Sequence, residues 1–135
     1  MTDTRQTVDP LAVVYRLRDA VNAHDLDALV DCFDREFHSQ LPTFPDASFV
    51  GNENVRRNWE MIFTSVPDIA AEIVRSTTAS TNTVWAEWQQ EGTQRDGRSH
   101  LARGIVIFTI ADGRIASNRF YVHPVCSGPP NVLDE

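Results

Sequence analysis

Lysine is absent from the chain, so all 12 of its cationic side chains are arginines. Schiff-base catalysis, pyridoxal-phosphate chemistry and Walker-type phosphate binding each depend on a lysine amine. The N-terminal amine is the only amine of that kind left. The sequence therefore excludes lysine-dependent catalysis and Walker-type nucleotide binding.

An excess of positive charge and a long apolar run are also missing. The formal net charge is −7, whereas nucleic acid and anionic membranes both attract clustered Lys and Arg. No apolar run reaches the roughly 18 residues that a membrane span needs. The segment Met1 to Pro10 lacks the apolar core of a signal peptide. We expect a cytoplasmic protein that binds neither nucleic acid nor membrane.

Cysteine is scarce, and Cys32 and Cys126 form no metal-binding or redox motif. In a cytoplasmic chain both are predicted to be free thiols. The histidines His38, His100 and His123 show no HxH or HxxxH spacing, and a zinc site needs three or four converging ligands. The sequence predicts no metal site and no cofactor.

The residues that are present divide the chain into two patterns. Apolar residues recur every three or four positions as far as Val66-Pro67-Asp68, and afterwards they alternate or run continuously. This segregation predicts an α+β domain whose helices cover one face of an antiparallel sheet. The length of 135 residues fits one domain. We expect a flexible tail at 1–8, a domain at 9–126 and a C-terminal tail at 127–135.

Three helices are predicted in the first half. Asp9-Pro10 supplies a capping acceptor and a proline at the first helical position. Asn22-Ala23-His24 ends this helix, with His24 as a solvated turn residue, and Asp25 caps the second. Gly51-Asn52 opens the third, and Pro67 ends it. The second helix is expected to bury Leu26, Leu29, Val30 and Phe33.

Strands are predicted at 69–78, 83–94, 99–111 and 114–125, after a shorter one at 37–41. Asp112-Gly113 is a strong signal for a tight hairpin between the last two. The final strands are long, which indicates a twisted and strongly curved sheet. The segment Pro42 to Phe49 is predicted to be a loop, and a hypothesis for it is a lid over a cavity mouth.

Several short motifs carry a family resemblance. They are Asn22-Ala23-His24-Asp25-Leu26-Asp27-Ala28-Leu29, Glu87-Trp88 with Gly92-Thr93, Phe108 with Asp112-Gly113-Arg114-Ile115, and Arg119-Phe120-Tyr121. In order and spacing they resemble the nuclear transport factor 2-like superfamily, in particular its SnoaL-like branch. The resemblance implies a cone-shaped α+β barrel. In it, three N-terminal helices pack on a strongly curved, mainly antiparallel sheet around a mostly apolar cavity.

The superfamily includes ketosteroid isomerases, polyketide cyclases, epoxide hydrolases and dehydratases, together with non-catalytic binding and dimerisation domains, so fold alone does not give function. The isomerase pattern places its tyrosine and two carboxyl groups at Leu17, Leu41 and Val106 of this chain. All three residues are apolar and cannot exchange a proton. Isomerisation by that mechanism is disfavoured.

The epoxide-hydrolase pattern requires an Asp-Arg-Asp relay. Its positions correspond to Trp88, Gln90 and Phe120, so the relay is absent and this activity is also disfavoured. Strand periodicity with Phe120 inward also places Asn118 in the cavity. The first strand offers Ser39 and Leu41, or His38 and Gln40 if its register shifts by one. The predicted ligand-binding residues are Leu17, Leu41, Trp59, Trp88, Gln90, Val106, Phe108, Asn118 and Phe120.

His100 and His38 are the candidate catalytic bases, because imidazole titrates near pH 6.5. Gln90 and Asn118 would then orient a carbonyl or a water. The alternative for His100 is a position at the solvent rim, where its strand starts. An inverted register would instead bring Glu87 and Arg119 into the cavity as the catalytic pair.

The predicted function is that of a SnoaL-like pocket protein that binds an apolar or polyketide-like small molecule. Two alternatives stay open: a cofactor-free cyclase, isomerase or dehydratase that transfers protons, or a non-catalytic ligand-binding or dimerisation module. We also expect a homodimer through the outer sheet face, which carries Arg103, Arg119, Tyr121 and His123.

Overall fold

The computed structural model describes residues 9–125 and consists of three helices on one face of a six-stranded sheet. The helices are α1 (Pro10–Ala23), α2 (Leu26–Asp31) and α3 (Asn52–Ser65). The strands are β1 (Phe33–Gln40), β2 (Phe49–Val50), β3 (Ala70–Thr78), β4 (Thr83–Thr93), β5 (Ser99–Ala111) and β6 (Arg114–Pro124). The predicted α+β class is confirmed. The predicted tails at 1–8 and 127–135 and the thiol of Cys126 lie outside the described residues.

The sheet has the order β2-β1-β6-β5-β4-β3 and is curved and open. β1 runs parallel to β6, and all other neighbours are antiparallel. The predicted hairpin between β5 and β6 is confirmed, with positive φ angles at Asp112 (53°) and Gly113 (77°). Register shifts in the β3–β4 and β5–β6 pairs add twist to the sheet.

Local capping explains where the helices begin. The Asp9 carboxylate accepts from the backbone N–H of Leu11 at 3.0 Å, and that of Asp25 accepts from Ala28 at 3.1 Å. Each bond satisfies a backbone donor that has no partner inside its helix. α3 begins after Gly51, whose φ of 97° favours glycine.

The boundary between α2 and β1 was predicted wrongly, and the two-residue strand β2 was not predicted. Phe33 was assigned to the buried face of the second helix, but it is the first residue of β1. The Cys32 carbonyl accepts from the Ile115 N–H at 2.8 Å, and Phe33 pairs with Ile115. This contact joins segments far apart in the chain, so local periodicity does not reveal it.

The end of α1 is tied to the edge strand β3. The Asn22 side chain donates to the Ala71 carbonyl at 3.0 Å and accepts from the Ala71 N–H at 2.6 Å. His24 has a left-handed φ of 54°, and its Nε2 donates to the Ile69 carbonyl at 2.8 Å. Its ring stacks on Phe63 at 5.0 Å between centroids. His24 is an exposed turn residue, as predicted, and its side chain also tethers the end of α1 to the sheet edge.

The core lies between α1, α2 and the sheet, whereas α3 packs less closely. Among the residues of α3, Val55 is buried but Trp59 and Ile62 are only half-buried. The looser packing of α3 leaves a cavity between this helix and the sheet. The core side chains with less than 2% exposure include Val13, Val14, Val21, Leu29, Phe37, Val106, Phe108 and Ile115.

At the centre of the sheet, β5 and β6 approach closely at Gly104. A Cβ atom there would overlap the Tyr121 carbonyl oxygen and lie 2.7 Å from the Val122 Cα. Real side chains do not tolerate such contacts with backbone atoms. The central pairing of the sheet therefore requires glycine at this position.

Candidate functional site

A cavity of about 550 Å³ lies between α3 and the strands β1, β2 and β6. Its walls are mainly aromatic and aliphatic, because the buried-face side chains of β1 and β6 meet the loosely packed face of α3. The apolar side chains that form these walls include Phe33, Phe37, Phe49, Trp59, Ile62 and Phe120. Such a cavity suits a compact apolar molecule.

The floor of the cavity is polar. Ser39 on β1 and Asn118 on β6 are register partners, and the Ser39 hydroxyl donates to Asn118 Oδ1 at 3.1 Å. Both side chains are buried, with 6% and 8% exposure. Within residues 9–125, no protein acceptor takes the N–H groups of Asn118 Nδ2. The amide can therefore donate to a carbonyl or hydroxyl oxygen in the cavity.

The outer rim is formed by polar side chains of α3. Asn54, Arg57 and Asn58 line the cavity at helical spacings of three and four, which place them on one helix face. The Arg57 guanidinium donates to Asn54 Oδ1 at 3.0 Å. Arg57 and Asn58 are exposed, so this end of the cavity is open to solvent.

A second opening, of about 370 Å³, lies where β3 begins, β4 ends and β5 begins. His100 lines it, together with Asp68, Glu91 and Ser99. The opening is lined mainly by polar groups and lacks the aromatic walls of the larger cavity.

A chain of hydrogen bonds connects His100 to the core. The Trp88 indole donates to Gln90 Oε1 at 2.9 Å, and Gln90 Nε2 lies 3.3 Å from His100 Nε2. An indole N–H can only donate, so Trp88 fixes the orientation of the Gln90 amide. The Gln90 NH₂ group then faces His100, whose Nε2 must accept. This arrangement requires neutral imidazole with its proton on Nδ1.

The pKa values of Asp68 and Cys32 are shifted by their surroundings. The Asp68 carboxylate accepts from the Thr93 N–H at 2.6 Å, and this bond lowers the pKa of Asp68. Cys32 is buried in the core, and burial raises the pKa of its thiol. Cys32 is thus a packed side chain rather than a reactive nucleophile.

The predicted ligand-binding residues fall into two groups. Leu41, Trp59, Asn118 and Phe120 line the large cavity. Leu17 on α1 and Trp88, Val106 and Phe108 on the sheet are instead buried in the core between α1 and the sheet, and Gln90 is buried beside His100. The same sheet face therefore serves partly as a cavity wall and partly as solid core.

The catalytic candidates are not brought together. His38 is exposed on the opposite face of β1 from Ser39, which resolves the open register in favour of Ser39 and Leu41 inward. On β5, the partner of Gln90 is Ala102 and that of Asn118 is Phe108. Six residues of strand separate those partners, or about 20 Å. His100 and Gln90 therefore lie together at one end of the strands, and Asn118 lies towards the other end.

The alternative pair of Glu87 and Arg119 lies on the outer face. The Glu87 carboxylate is 3.2 Å from Arg75, and Arg119 donates to Gln40 at 3.1 Å. The chain therefore does not adopt the inverted register. His123 also lies on this face, where its Nε2 is 3.3 Å from the Thr43 hydroxyl.

Residues of the rim were missed by the sequence analysis. Asn54, Arg57 and Asn58 were not predicted, although they flank the apolar positions Val55 and Trp59. Polar residues bordering a helix's apolar stripe carry a usable signal, because they surround whatever that stripe covers.

Within residues 9–125, no three His, Cys, Asp or Glu side chains are grouped so that they could hold a metal ion. In the same range no helix combines the length and hydrophobicity that crossing a membrane requires.

The architecture is shared with solved structures at low sequence identity. A Mycobacterium tuberculosis protein in complex with estradiol-17beta-hemisuccinate has a TM-score of 0.72 at 14% identity, over 84% of this chain and 92% of that one. A protein from Jannaschia sp. CCS1 described as a SnoaL-like polyketide cyclase has a TM-score of 0.71 at 18% identity, over 90% of each chain. A computationally designed 17-OHP binder has a TM-score of 0.72 at 17% identity, over 86% of this chain and 93% of the designed one. These likenesses show the fold alone.

No curated protein matches the chain. The sequence model of the SnoaL-like domain, in contrast, matches residues 14–118. That range runs from Val14 in α1 to Asn118 on the cavity floor, so it includes most of α1, all of α2 and α3, and the cavity-lining residues as far as Asn118. The resemblance seen in the helix junction and the last hairpin is confirmed, and the chain belongs to the SnoaL-like family.

Proposed function

We propose that the protein binds a small, mainly apolar, polyketide-like molecule in the cavity between α3 and the sheet. The observation that carries this proposal is the cavity itself, whose volume of about 550 Å³ lies within the range of known ligand sites. The M. tuberculosis protein in complex with estradiol-17beta-hemisuccinate and the designed 17-OHP binder share this fold. They support a ligand of similar size.

The walls and floor suggest how such a ligand is held. Aromatic side chains such as Trp59 and Phe120 would pack against a flat apolar body. The buried pair of Ser39 and Asn118 would hydrogen-bond one oxygen at its inner end. The segment from Pro42 to Phe49, which contributes Ala47 and Phe49 to the lining, would cover the mouth as a lid.

Binding without proton transfer is the role that this geometry favours. Among the described residues that line the cavity, the only ionisable side chain is Arg57, and a guanidinium does not exchange protons near neutral pH. His100 lies in the other opening, where Gln90 occupies its Nε2 lone pair.

A cofactor-free cyclase, isomerase or dehydratase is the second candidate. It is favoured by the contact chain from Trp88 through Gln90 to His100, which orients a half-buried imidazole at an opening. For any activity found, His100→Ala would abolish turnover if His100 is the base, and His38→Ala tests the other candidate. Retention of full activity after both substitutions would reject the histidine mechanism.

We also propose that two copies associate through the outer sheet face. Trp85 is 46% exposed there, and it lies in register beside Ile107 and Arg119. Ile105 pairs with Tyr121 in the adjacent row, so an apolar stripe crosses three strands. Sedimentation should show a dimer at micromolar concentration and a monomer for Trp85→Arg. A monomeric parent protein would contradict the proposal.

A cytoplasmic location remains part of the proposal. It is supported by the unpaired, buried thiol of Cys32, since free cysteines are usual in reducing compartments. A fusion to a fluorescent protein that localised outside the cytoplasm would contradict it.

The binding proposal can be tested with N-phenyl-1-naphthylamine, a neutral probe whose fluorescence rises in apolar surroundings. Leu41 and Leu101 are both half-buried, but Leu41 lines the large cavity and Leu101 the second opening. Leu41→Trp should fill part of the cavity and weaken probe binding about tenfold or more. The matched variant Leu101→Trp should leave the affinity within about twofold.

Either of two results would refute binding in this cavity. One is a parent protein that does not bind the probe. The other is equal binding by the parent and a folded Leu41→Trp variant. Thermal unfolding of both variants establishes that they are folded.

A further inference from the structure

The rim of the large cavity has a charge that its walls and floor lack. We propose that Arg57 makes this cavity selective for amphiphilic ligands that carry a carboxylate, sulfonate or similar anionic group at their outer end. The inference rests on the proposed binding function and specifies the class of ligand.

The side chains that line the cavity are almost all uncharged. Of the 15 described residues that line the cavity, Arg57 is the only one with an ionisable side chain. The remaining polar groups, such as Ser39, Asn54 and Asn118, are neutral amides or hydroxyls. Among the described lining residues, an anion entering from the α3 side would therefore meet one cation and no carboxylate.

No acidic side chain among residues 9–125 is paired with Arg57. Its side-chain partner in this range is the neutral Asn54, at 3.0 Å, and no carboxylate of the described residues lies within 4 Å of the guanidinium. The neighbouring Arg56, in contrast, is paired with Asp27 at 2.9 Å. A guanidinium has five N–H donors arranged for planar, bidentate contacts with carboxylate or phosphate-like groups. Arg57 therefore keeps donors available at the mouth.

The groups along the cavity define a direction for the ligand. The floor is the buried Ser39–Asn118 pair, the middle is apolar, and Arg57 and Asn58 lie at the exposed rim. A matching ligand has an oxygen at its inner end, a rigid apolar body and an anion at its outer end. The overall charge of −7 disfavours anions in general, so Arg57 would have to supply the local attraction.

Two fluorescent probes with the same aromatic body separate charge from apolar binding. 8-Anilinonaphthalene-1-sulfonate carries a sulfonate, and N-phenyl-1-naphthylamine is neutral. In Arg57→Gln the dissociation constant of the sulfonate probe should rise about three- to tenfold, with that of the neutral probe changed by less than about twofold. Arg56→Gln removes the same charge one residue away and should change neither.

Arg57→Lys provides a second variant that keeps the charge. It should retain most of the preference for the sulfonate probe, although a lysine lacks the planar fork. Thermal unfolding checks that all variants are folded, and Arg57 is exposed enough that both substitutions should be tolerated.

The outcomes separate this inference from the function on which it rests. If the neutral probe binds but Arg57→Gln and Arg56→Gln affect the sulfonate probe equally, or not at all, the role of Arg57 is overturned and cavity binding stands. If neither probe binds the parent protein, both are overturned.

Discussion

The hydrogen bond between Ser39 and Asn118 at the cavity floor gives the most direct test of the site. Ser39→Ala removes the donor to Asn118 Oδ1, an atom now satisfied at 3.1 Å in a side chain that is only 8% exposed. Asn118→Ala removes the other partner. The two single variants and the double variant form a cycle that isolates the interaction between the two side chains.

The expected magnitude follows from the burial of the pair. A neutral hydrogen bond contributes about 1 kcal/mol net, and a buried partner left without a bond costs about 1–3 kcal/mol. Because the Asn118 amide borders the cavity, water can replace part of the lost contact. We therefore expect Ser39→Ala to destabilise the protein by about 1–2 kcal/mol, with a coupling energy of roughly 1 kcal/mol in the cycle.

The assay is urea unfolding of the four proteins, followed by circular dichroism. Ser117→Ala is the control, because Ser117 is a half-buried serine next to Asn118 on β6. This substitution should change the free energy of unfolding by less than about 0.5 kcal/mol. If the effects of Ser39→Ala and Asn118→Ala add to within about 0.3 kcal/mol, the two side chains do not interact. The polar floor assigned to the cavity would then be wrong.

Two further changes test the sheet and a titrating group. Gly104→Ala should destabilise the fold by about 3 kcal/mol or more, because the added Cβ overlaps the Tyr121 carbonyl and forces β5 from β6. An unchanged urea midpoint would contradict that packing. The Thr93 N–H lowers the folded-state pKa of Asp68. The stability that this hydrogen bond gives the folded protein is therefore fully present above the unfolded-state pKa, near 4. It is lost as the pH falls through the lower pKa of the folded state. Asp68→Asn should lose less stability than the parent between about pH 5 and pH 2, and parallel pH profiles would contradict this.

The sequence contained most of the fold, because its signals are local. The capping residues Asp9 and Asp25 start helices, and Asp112-Gly113 forms the predicted turn. The four later strands fall within about two residues of their predicted limits, since alternation is a property of neighbouring positions. Phe33 was misassigned because its strand is set by pairing with Ile115, 82 positions further along the chain.

The candidate site was predicted only in part, for a related reason. Period two gives the face of a strand on which Asn118 and Val106 lie, and both face the helices as expected. It does not say how closely a helix covers that face. Val106 is sealed in the core, and Asn118 borders a cavity, because α3 packs less tightly than α1. Arg57 was not predicted as a lining residue, because it lines a cavity that exists only where α3 packs loosely on the sheet.

The attachment of α1 to the sheet edge affects how copies of the chain can associate. An edge strand normally offers unpaired N–H and C=O groups as a template for another chain. At the start of β3, the Asn22 amide occupies both groups of Ala71, and His24 occupies the Ile69 carbonyl. A foreign strand cannot extend the sheet there without first displacing two side chains. The side chains of Asn22 and His24 therefore disfavour the addition of further strands at this edge. Both are exposed residues, so this protection does not depend on the packing of the core.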